Sequence, residues 1–217
     1  MWLPGHLAVA FLICTPLLLY SRRKGEDPIL ALVYVAFFAV FPDFLHIGDF
    51  RMVSHSLIGL AALVLIALVI LFYVSEVRKS LVAIASIAVG AHLFADWMYG
   101  HFFPLFPFSI EYVSLNTFNT YVDVMAEIAL FAVATVVFAA LVISGRHDCR
   151  SVKTARGAKL GYLVLLLPFL AMTVLETVYF VQNMLIIGTG VTRLILLAIF
   201  GVLLGATLLV IREVLEL

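Results

Sequence analysis

The strongest constraint on this sequence is a series of seven apolar runs, each of about the length that a helix needs to cross a lipid bilayer. Short segments with charged residues, glycine or proline separate the runs, and there is no internal repeat. The sequence therefore predicts an all-α fold, a polytopic transmembrane helical bundle that forms one domain over residues 1–217. We predict the helices at roughly 2–20, 28–46, 55–75, 80–99, 120–144, 159–183 and 189–213.

The overall composition agrees with this prediction and excludes two other classes of protein. The chain is 65% hydrophobic and only 12% charged, which leaves too little polar surface to cover the core of a soluble domain of this length. The formal net charge is zero, so there is no basic field that would attract a nucleic acid. The membrane is the partner that the composition indicates.

The distribution of basic residues predicts how the chain is oriented. With seven crossings, eleven of the thirteen lysines and arginines fall on one side of the membrane, and only Arg51 and Arg193 fall on the other. Basic loops stay in the cytoplasm of a cell. We therefore expect a multi-pass protein of the cytoplasmic (inner) membrane whose N-terminus faces outside.

Ionisable residues gather toward the outer ends of the predicted helices. On this topology five of the six histidines lie there, together with several acidic residues inside apolar runs. An acid within a membrane span costs roughly 2.5–3.5 kcal/mol on insertion scales, so such residues usually mark function or a buried partner. The residues concerned are His6, Asp43, His46, His55, His92, Asp96, His101, Asp123, Glu127 and Glu176.

The spacing of these residues favours a metal site. His92 and Asp96 are four residues apart, so their side chains project from one face of a helix, and Asp123 and Glu127 repeat that spacing. Imidazole and carboxylate ligands from several helices suit zinc or a similar divalent ion. A bundle core can assemble such a site from facing helices.

Several of these residues also have structural interpretations. His6 alone is equally consistent with an interfacial anchor for the first helix, and Asp123 with an N-cap. Glu176 fits a hydrogen-bonded packing or relay residue better than a metal ligand. His92 and Asp96 alternatively form a salt-bridged structural pair, and the aromatic, proline-rich segment HFFPLFPFSIEY is most simply a loop that dips into the lipid headgroups.

Five short motifs resemble the membrane-bound metal-dependent hydrolases of the YdjM-like family over roughly residues 5–110. They are GHLAVA, FPDFLH, RMVSHSL, AHLFAD and the prolines of HFFPLFPFS. The family usually reads Pro-Asp-x-Asp-His, whereas here Leu45 replaces the second acid, which leaves the number of metal ions open. More distantly, the order His-Asp-His and then His-x-x-x-Asp is similar to zinc-dependent phospholipase C. In that comparison His101, Asp123 and Glu127 stand where further ligands follow.

The resemblances imply a metal-dependent phosphoesterase, with zinc as the expected ion and manganese as the alternative. The implied metal ligands are His6, Asp43, His55, His92, Asp96, His101, Asp123 and Glu127, which places the motifs of the site within residues 5–127. Asp43 or Asp123 would orient water, and Arg51 would bind developing phosphate charge.

The depth of the site, one to two helical turns below the interface, favours a lipid or lipid-linked phosphoester as the substrate. Two other functions stay open from the sequence, an ion or proton-coupled transporter and a non-catalytic metal-binding membrane protein.

Overall fold

The computed structural model describes residues 1–45, 50–74, 78–116, 121–145, 156–183 and 190–216. Within these ranges the chain is helical apart from its connections, and a single isolated β-bridge joins Phe102 to Val113. The helices are α1 (Leu3–Arg23), α2 (Pro28–Val40), α3 (Phe50–Ser54), α4 (Leu57–Val74), α5 (Lys79–Tyr99), α6 (Tyr121–Gly145), α7 (Arg156–Asn183) and α8 (Gly190–Glu216). A 3₁₀ turn, Phe41–Leu45, continues α2.

All seven predicted apolar runs form helices, which confirms the all-α polytopic fold. By length and composition, α1, α5, α6, α7 and α8 are each able to cross a membrane, and α2 and α4 carry shorter apolar stretches. Large apolar side chains are exposed on the outer surfaces of the bundle, for example Leu65, Val136 and Val202. In a bilayer these side chains would face lipid.

The third predicted helix begins later than the sequence suggested. Instead of starting at residue 55, α4 starts at Leu57, and a short helix, α3, precedes it. The hydroxyl of Ser56 accepts a hydrogen bond from the Gly59 amide (3.0 Å) and so caps α4. At Gly59 an added Cβ would lie 2.1 Å from the Val53 carbonyl oxygen, so only glycine permits this close turn. His55 therefore lies in a turn between two helices.

The centre of the bundle is formed by α1, α2 and α5, which pack against one another, while α6 packs on α1 and α7 on α2. Small buried residues, among them Ala10 on α1 and Ala85 and Ala88 on α5, allow the helices to approach closely. This packing brings the N-terminal end of α1, the C-terminal end of α2 and the C-terminal end of α5 to one end of the bundle.

At the opposite end of the bundle, the loop between α1 and α2 ties these helices to two others. Asp27 caps α2 by accepting hydrogen bonds from the amides of Ile29 (2.9 Å) and Leu30 (3.3 Å), and it accepts another from the Tyr162 hydroxyl on α7. Glu26 accepts a hydrogen bond from Ser80 at the start of α5 (2.6 Å). These contacts fix the positions of α1, α2, α5 and α7 relative to one another.

Candidate metal centre

Five buried ionisable side chains meet at the end of the bundle where α1, α2 and α5 converge. Four separate segments supply them: the first turn of α1, the 3₁₀ turn after α2, the turn between α3 and α4, and the last two turns of α5. The histidine side chains are 0–1% exposed and the two carboxylates 8–10%. These residues, the central cluster, are His6, Asp43, His55, His92 and Asp96.

The Nε2 atoms of the three histidines all face the two carboxylates. His55 Nε2 lies 3.0 Å from Asp96 Oδ2 and 3.5 Å from Asp43 Oδ1. His92 Nε2 lies 3.4 Å from Asp96 Oδ2 and 3.7 Å from Asp43 Oδ1. His6 Nε2 is 3.5 Å from Asp96 Oδ1, and its ring stacks on His92 with a centroid distance of 4.0 Å. The carboxylates therefore hold the three rings together.

Backbone carbonyls orient two of the imidazole rings. His92 Nδ1 donates to the carbonyl oxygen of Ala39 (2.7 Å), and the carbonyl of Arg51 (3.2 Å) and the hydroxyl of Ser54 (2.8 Å) hold His55 Nδ1. A ring that carries its proton on Nδ1 presents the lone pair of Nε2 in its neutral form. This is the arrangement by which metal-binding proteins fix a histidine ligand.

The electrostatics of the cluster favour a positive charge between the carboxylates. His55 lies outside the membrane-spanning helices. Burial by itself lowers the pKa of His55, but the hydrogen bonds to Asp43 and Asp96 and their negative charges outweigh burial and raise it to about 9. Without another cation, a proton on His55 would fill this role.

The donor set fits a zinc-like ion. Ligand atoms about 2.1 Å from a tetrahedral zinc lie about 3.4 Å from one another. In the central cluster the Nε2 and carboxylate oxygen atoms are 3.0–4.0 Å apart. Two overlapping groups, each with all ligand atoms within 4.8 Å, share His92. Three imidazoles suit zinc, and the two carboxylates leave manganese as the alternative.

His101, one of the predicted ligands, lies beside the central cluster and is not a member of either group. An Nη atom of Arg51 lies 3.4 Å from Nδ1 of His101, and the ring packs edge-on against Tyr112. Burial and the Arg51 charge lower the pKa of His101, so the neutral ring accepts this hydrogen bond. Arg51 and His101 are both partly exposed and border the cluster.

The two other predicted ligands, Asp123 and Glu127, also lie outside both groups. They are buried on the first turns of α6. Glu127 accepts a hydrogen bond from the Trp2 amide (2.7 Å), and an added Cβ at Gly5 would lie 3.0 Å from Glu127 Cγ. Glu127 thus holds the beginning of α1, the helix that carries His6. Metal binding by this acid pair stays a prediction.

The sequence interpretation also named Glu176 and His46. Glu176 is half-buried on α7 and interacts electrostatically with Asp43. His46 lies outside the described residues.

The loop after α5 packs against the turn that carries His55, a contact that the sequence did not reveal. The Phe103 amide donates to the His55 carbonyl oxygen (2.9 Å), and the Leu115 amide donates to that of Trp97 (2.7 Å). The tip of the loop is apolar and open, with Phe108 84% exposed. An exposed apolar tip agrees with the prediction that this segment dips into the headgroup region.

The carbonyl group of Ala39 was a further part of the site that sequence reasoning missed. The signal that could have revealed it is Pro42, because proline has no amide hydrogen and a 3₁₀ bond from residue 42 back to Ala39 cannot form. The carbonyl oxygen that this leaves available accepts the hydrogen bond of His92.

Replacing Gly100 is expected to weaken the candidate centre. An added Cβ would lie 2.5 Å from Asp96 Oδ1 and 3.0 Å from Asp96 Cα, so Gly100→Ala must displace the carboxylate. We expect the affinity for zinc, measured by competition with a chelating dye, to fall by at least about tenfold. Gly90→Ala on α5 is the matched control, since a Cβ there meets no atom of the described part of the chain within 4 Å. Equal affinities for the two variants would contradict the geometry.

Comparison with known proteins supports a membrane family. A family model described as YdjM inner membrane protein matches residues 1–183, which include the whole central cluster and extend beyond the roughly 5–110 of the motif resemblance. No curated protein matches, and no solved structure matches either. The hydrolase and phospholipase C resemblances of the motifs therefore stay predictions.

Proposed function

The chain belongs to the YdjM inner membrane protein family, and from its central cluster we propose that it is a membrane-embedded, metal-dependent hydrolase. We propose further that it cleaves a phosphoester of a lipid at the outer face of the membrane. The observation that carries this proposal is the convergence of three imidazoles and two carboxylates, all with Nε2 or carboxylate oxygen atoms turned inward, in a buried site.

His6, Asp43, His55, His92 and Asp96 would hold the ion. When bound, a zinc-like ion supplies Lewis acidity, which polarises a phosphoryl oxygen and makes water a stronger acid. The protein supplies the rest. Two of its buried rings, those of His92 and His55, are fixed at Nδ1 by the Ala39 and Arg51 carbonyls, and they keep their ligand atoms in place without reorganisation.

Two side chains have roles toward the substrate in this proposal. Asp43 is the more exposed of the two cluster carboxylates, and one of its oxygens would accept a proton from the attacking water. Arg51 borders the cluster and would donate hydrogen bonds to the phosphoryl oxygens as negative charge develops there. Asp123 is the alternative base; it is buried in the first turn of α6 and is not a member of either group of ligand atoms.

The position of the cluster supports the proposal of a lipid substrate. His92 and Asp96 lie in the last two turns of a helix long and apolar enough to span a membrane. The loop that follows this helix, with its exposed apolar tip at Phe108, is hydrogen-bonded to the His55 carbonyl. A lipid headgroup reaches such a site more readily than a soluble polymer. The outward orientation rests on the excess of basic residues on the opposite side.

A proton-coupled transporter is the second candidate, favoured by the interaction of Glu176 on α7 with Asp43. A relay also needs ionisable groups along a path through the bilayer. The middle stretches of the helices contain no Asp, Glu, Lys, Arg or His, for example between His6 and Arg22 on α1 or between Glu127 and Arg146 after α6. Because the ionisable residues gather at one side of the bundle, their distribution favours a metal site over a proton path through the bilayer.

The proposal is tested by assaying purified protein in lipid nanodiscs for hydrolysis of phospholipids. We expect release of a phosphoester cleavage product, loss of activity after treatment with a chelator, and recovery on addition of zinc or manganese. A protein that hydrolyses no lipid phosphoester under these conditions, or that is equally active after chelation, would contradict the proposal.

A further inference from the structure

An apolar groove runs along α4 and α5, beside the central cluster. Its volume is about 390 Å³. Among the described residues that line it, Ser86 is the only polar one, and the hydroxyl of Ser86 already donates to the carbonyl oxygen of Val82 (2.9 Å). The described part of the groove therefore offers a water-soluble ligand little beyond the acceptor capacity of one hydroxyl oxygen. The lining residues are Leu57, Leu60, Ala61, Val64, Leu65, Leu68, Ser86, Val89 and Leu93.

One end of the groove adjoins the cluster. Leu57 follows His55 by two residues, and Leu93 is the neighbour of His92. The other end of the groove lies at Leu68 on α4, which is eleven residues, or about 16 Å along the helix, from Leu57. Half of the hydrocarbon core of a bilayer is about 15 Å thick. The groove therefore has the length of one lipid leaflet, and it starts at the site.

The groove is open at the side. Leu57 is 55% exposed and Leu65 64% exposed, while Leu60 and Val64 are buried at its floor. Because α4 and α5 are apolar helices of a membrane protein, the open side would face lipid. A hydrocarbon chain can enter from the bilayer without passing through water.

We propose that this groove binds an acyl chain of the lipid substrate and so places the phosphoester of that lipid at the central cluster. The proposal rests on the proposed function and names the class of substrate, an acylated phospholipid of the leaflet that the cluster faces. The groove would hold the chain parallel to α4, with the headgroup end beside His55 and His92. Recognition would then come from the acyl chain and from Arg51, since none of the described residues that line the groove is charged.

Two neighbouring alanines provide a matched test. Ala61 lines the groove, whereas Ala62 is exposed but does not line it. Ala61→Trp should fill the groove, and Ala62→Trp adds the same side chain to the same helix without filling it. The probe is a phospholipid with a photoreactive diazirine in one acyl chain, incorporated into nanodiscs, with the crosslinked peptides identified by mass spectrometry.

We expect the wild-type protein and Ala62→Trp to crosslink at residues that line the groove, and Ala61→Trp to lose most of this crosslinking. For a long-chain substrate, kcat/KM of Ala61→Trp should fall by about 100-fold, because the phosphoester is no longer held in position. Turnover of a short-chain analogue and the bound metal should be the same in both variants, which shows that the cluster is intact.

Two results would overturn the proposal, and they are distinguishable. If both tryptophan variants behave alike while the wild type binds metal and cleaves lipid, the groove does not bind the substrate, and the proposed hydrolase function stands. If the groove crosslinks lipid but the wild type neither binds metal nor cleaves any phosphoester, the proposed function fails, and with it the assignment of the bound lipid as a substrate.

Discussion

His92→Ala and Asp96→Ala are each expected to lose most of the bound metal and to reduce lipid hydrolysis by at least about 100-fold. His92 belongs to both groups of ligand atoms, and Asp96 contacts all three histidines of the cluster at 3.0–3.5 Å. The measurement is the metal content of purified protein by mass spectrometry, together with kcat/KM. Asp96→Asn tests charge with little change in shape, and it should also lose metal.

Two control variants complete this experiment. His147→Ala should keep the metal, because His147 is on the opposite side of the membrane in the predicted topology. Glu176→Gln should keep the metal and the activity of the hydrolase, whereas it would disable a proton relay. A folded His92→Ala protein with its full content of metal would instead make His92 and Asp96 a structural ion pair.

Arg51→Ala is expected to lower kcat by about 10²–10³-fold and to leave the metal content unchanged. The side chain of Arg51 borders the cluster next to His101, and the lost hydrogen bonds would be those to the transition state. The part of Arg51 that orients His55 is its backbone carbonyl, and this group remains in the alanine variant. The metal site should therefore survive the change.

Arg193→Ala is the matched control for Arg51, since it removes the other basic residue predicted on the outer side. Its activity should be close to that of the wild type. A loss of metal or of the folded state in Arg51→Ala would show that the guanidinium is a structural partner, and a similar loss of activity in both variants would point to a general effect of outer charge.

The fold was predictable from the sequence because a bilayer requires long apolar helices, and each apolar run meets that requirement. The differences between the predicted and the observed helix boundaries depend on local contacts, which the pattern of apolar residues does not indicate. The start of α4 is fixed by the Ser56 cap and by the close approach of Gly59 to Val53. The apolar pattern is compatible with a helix that begins at residue 55 as well as with one that begins at residue 57. It therefore could not show that His55 lies outside the helix.

The candidate site was predictable in part. The spacing of His92 and Asp96 placed both on one helix face, and the structure has both in the central cluster. Spacing cannot decide which distant residues meet, and here the tertiary packing keeps Asp123 and Glu127 out of the ligand groups. Glu127 accepts a hydrogen bond from the Trp2 amide. Every residue other than proline has a backbone amide, so the sequence could not indicate this partner. The proposed groove is likewise a property of how two helices pack.

The most direct test of the central claim is the metal content of the wild-type protein, purified without chelators and analysed by inductively coupled plasma mass spectrometry. The convergence of His6, Asp43, His55, His92 and Asp96 predicts at least about one zinc or manganese ion per chain, which a strong chelator removes and added metal restores. A protein that contains no stoichiometric metal, and takes up neither zinc nor manganese when these are supplied, would contradict the claim that the cluster is a metal centre.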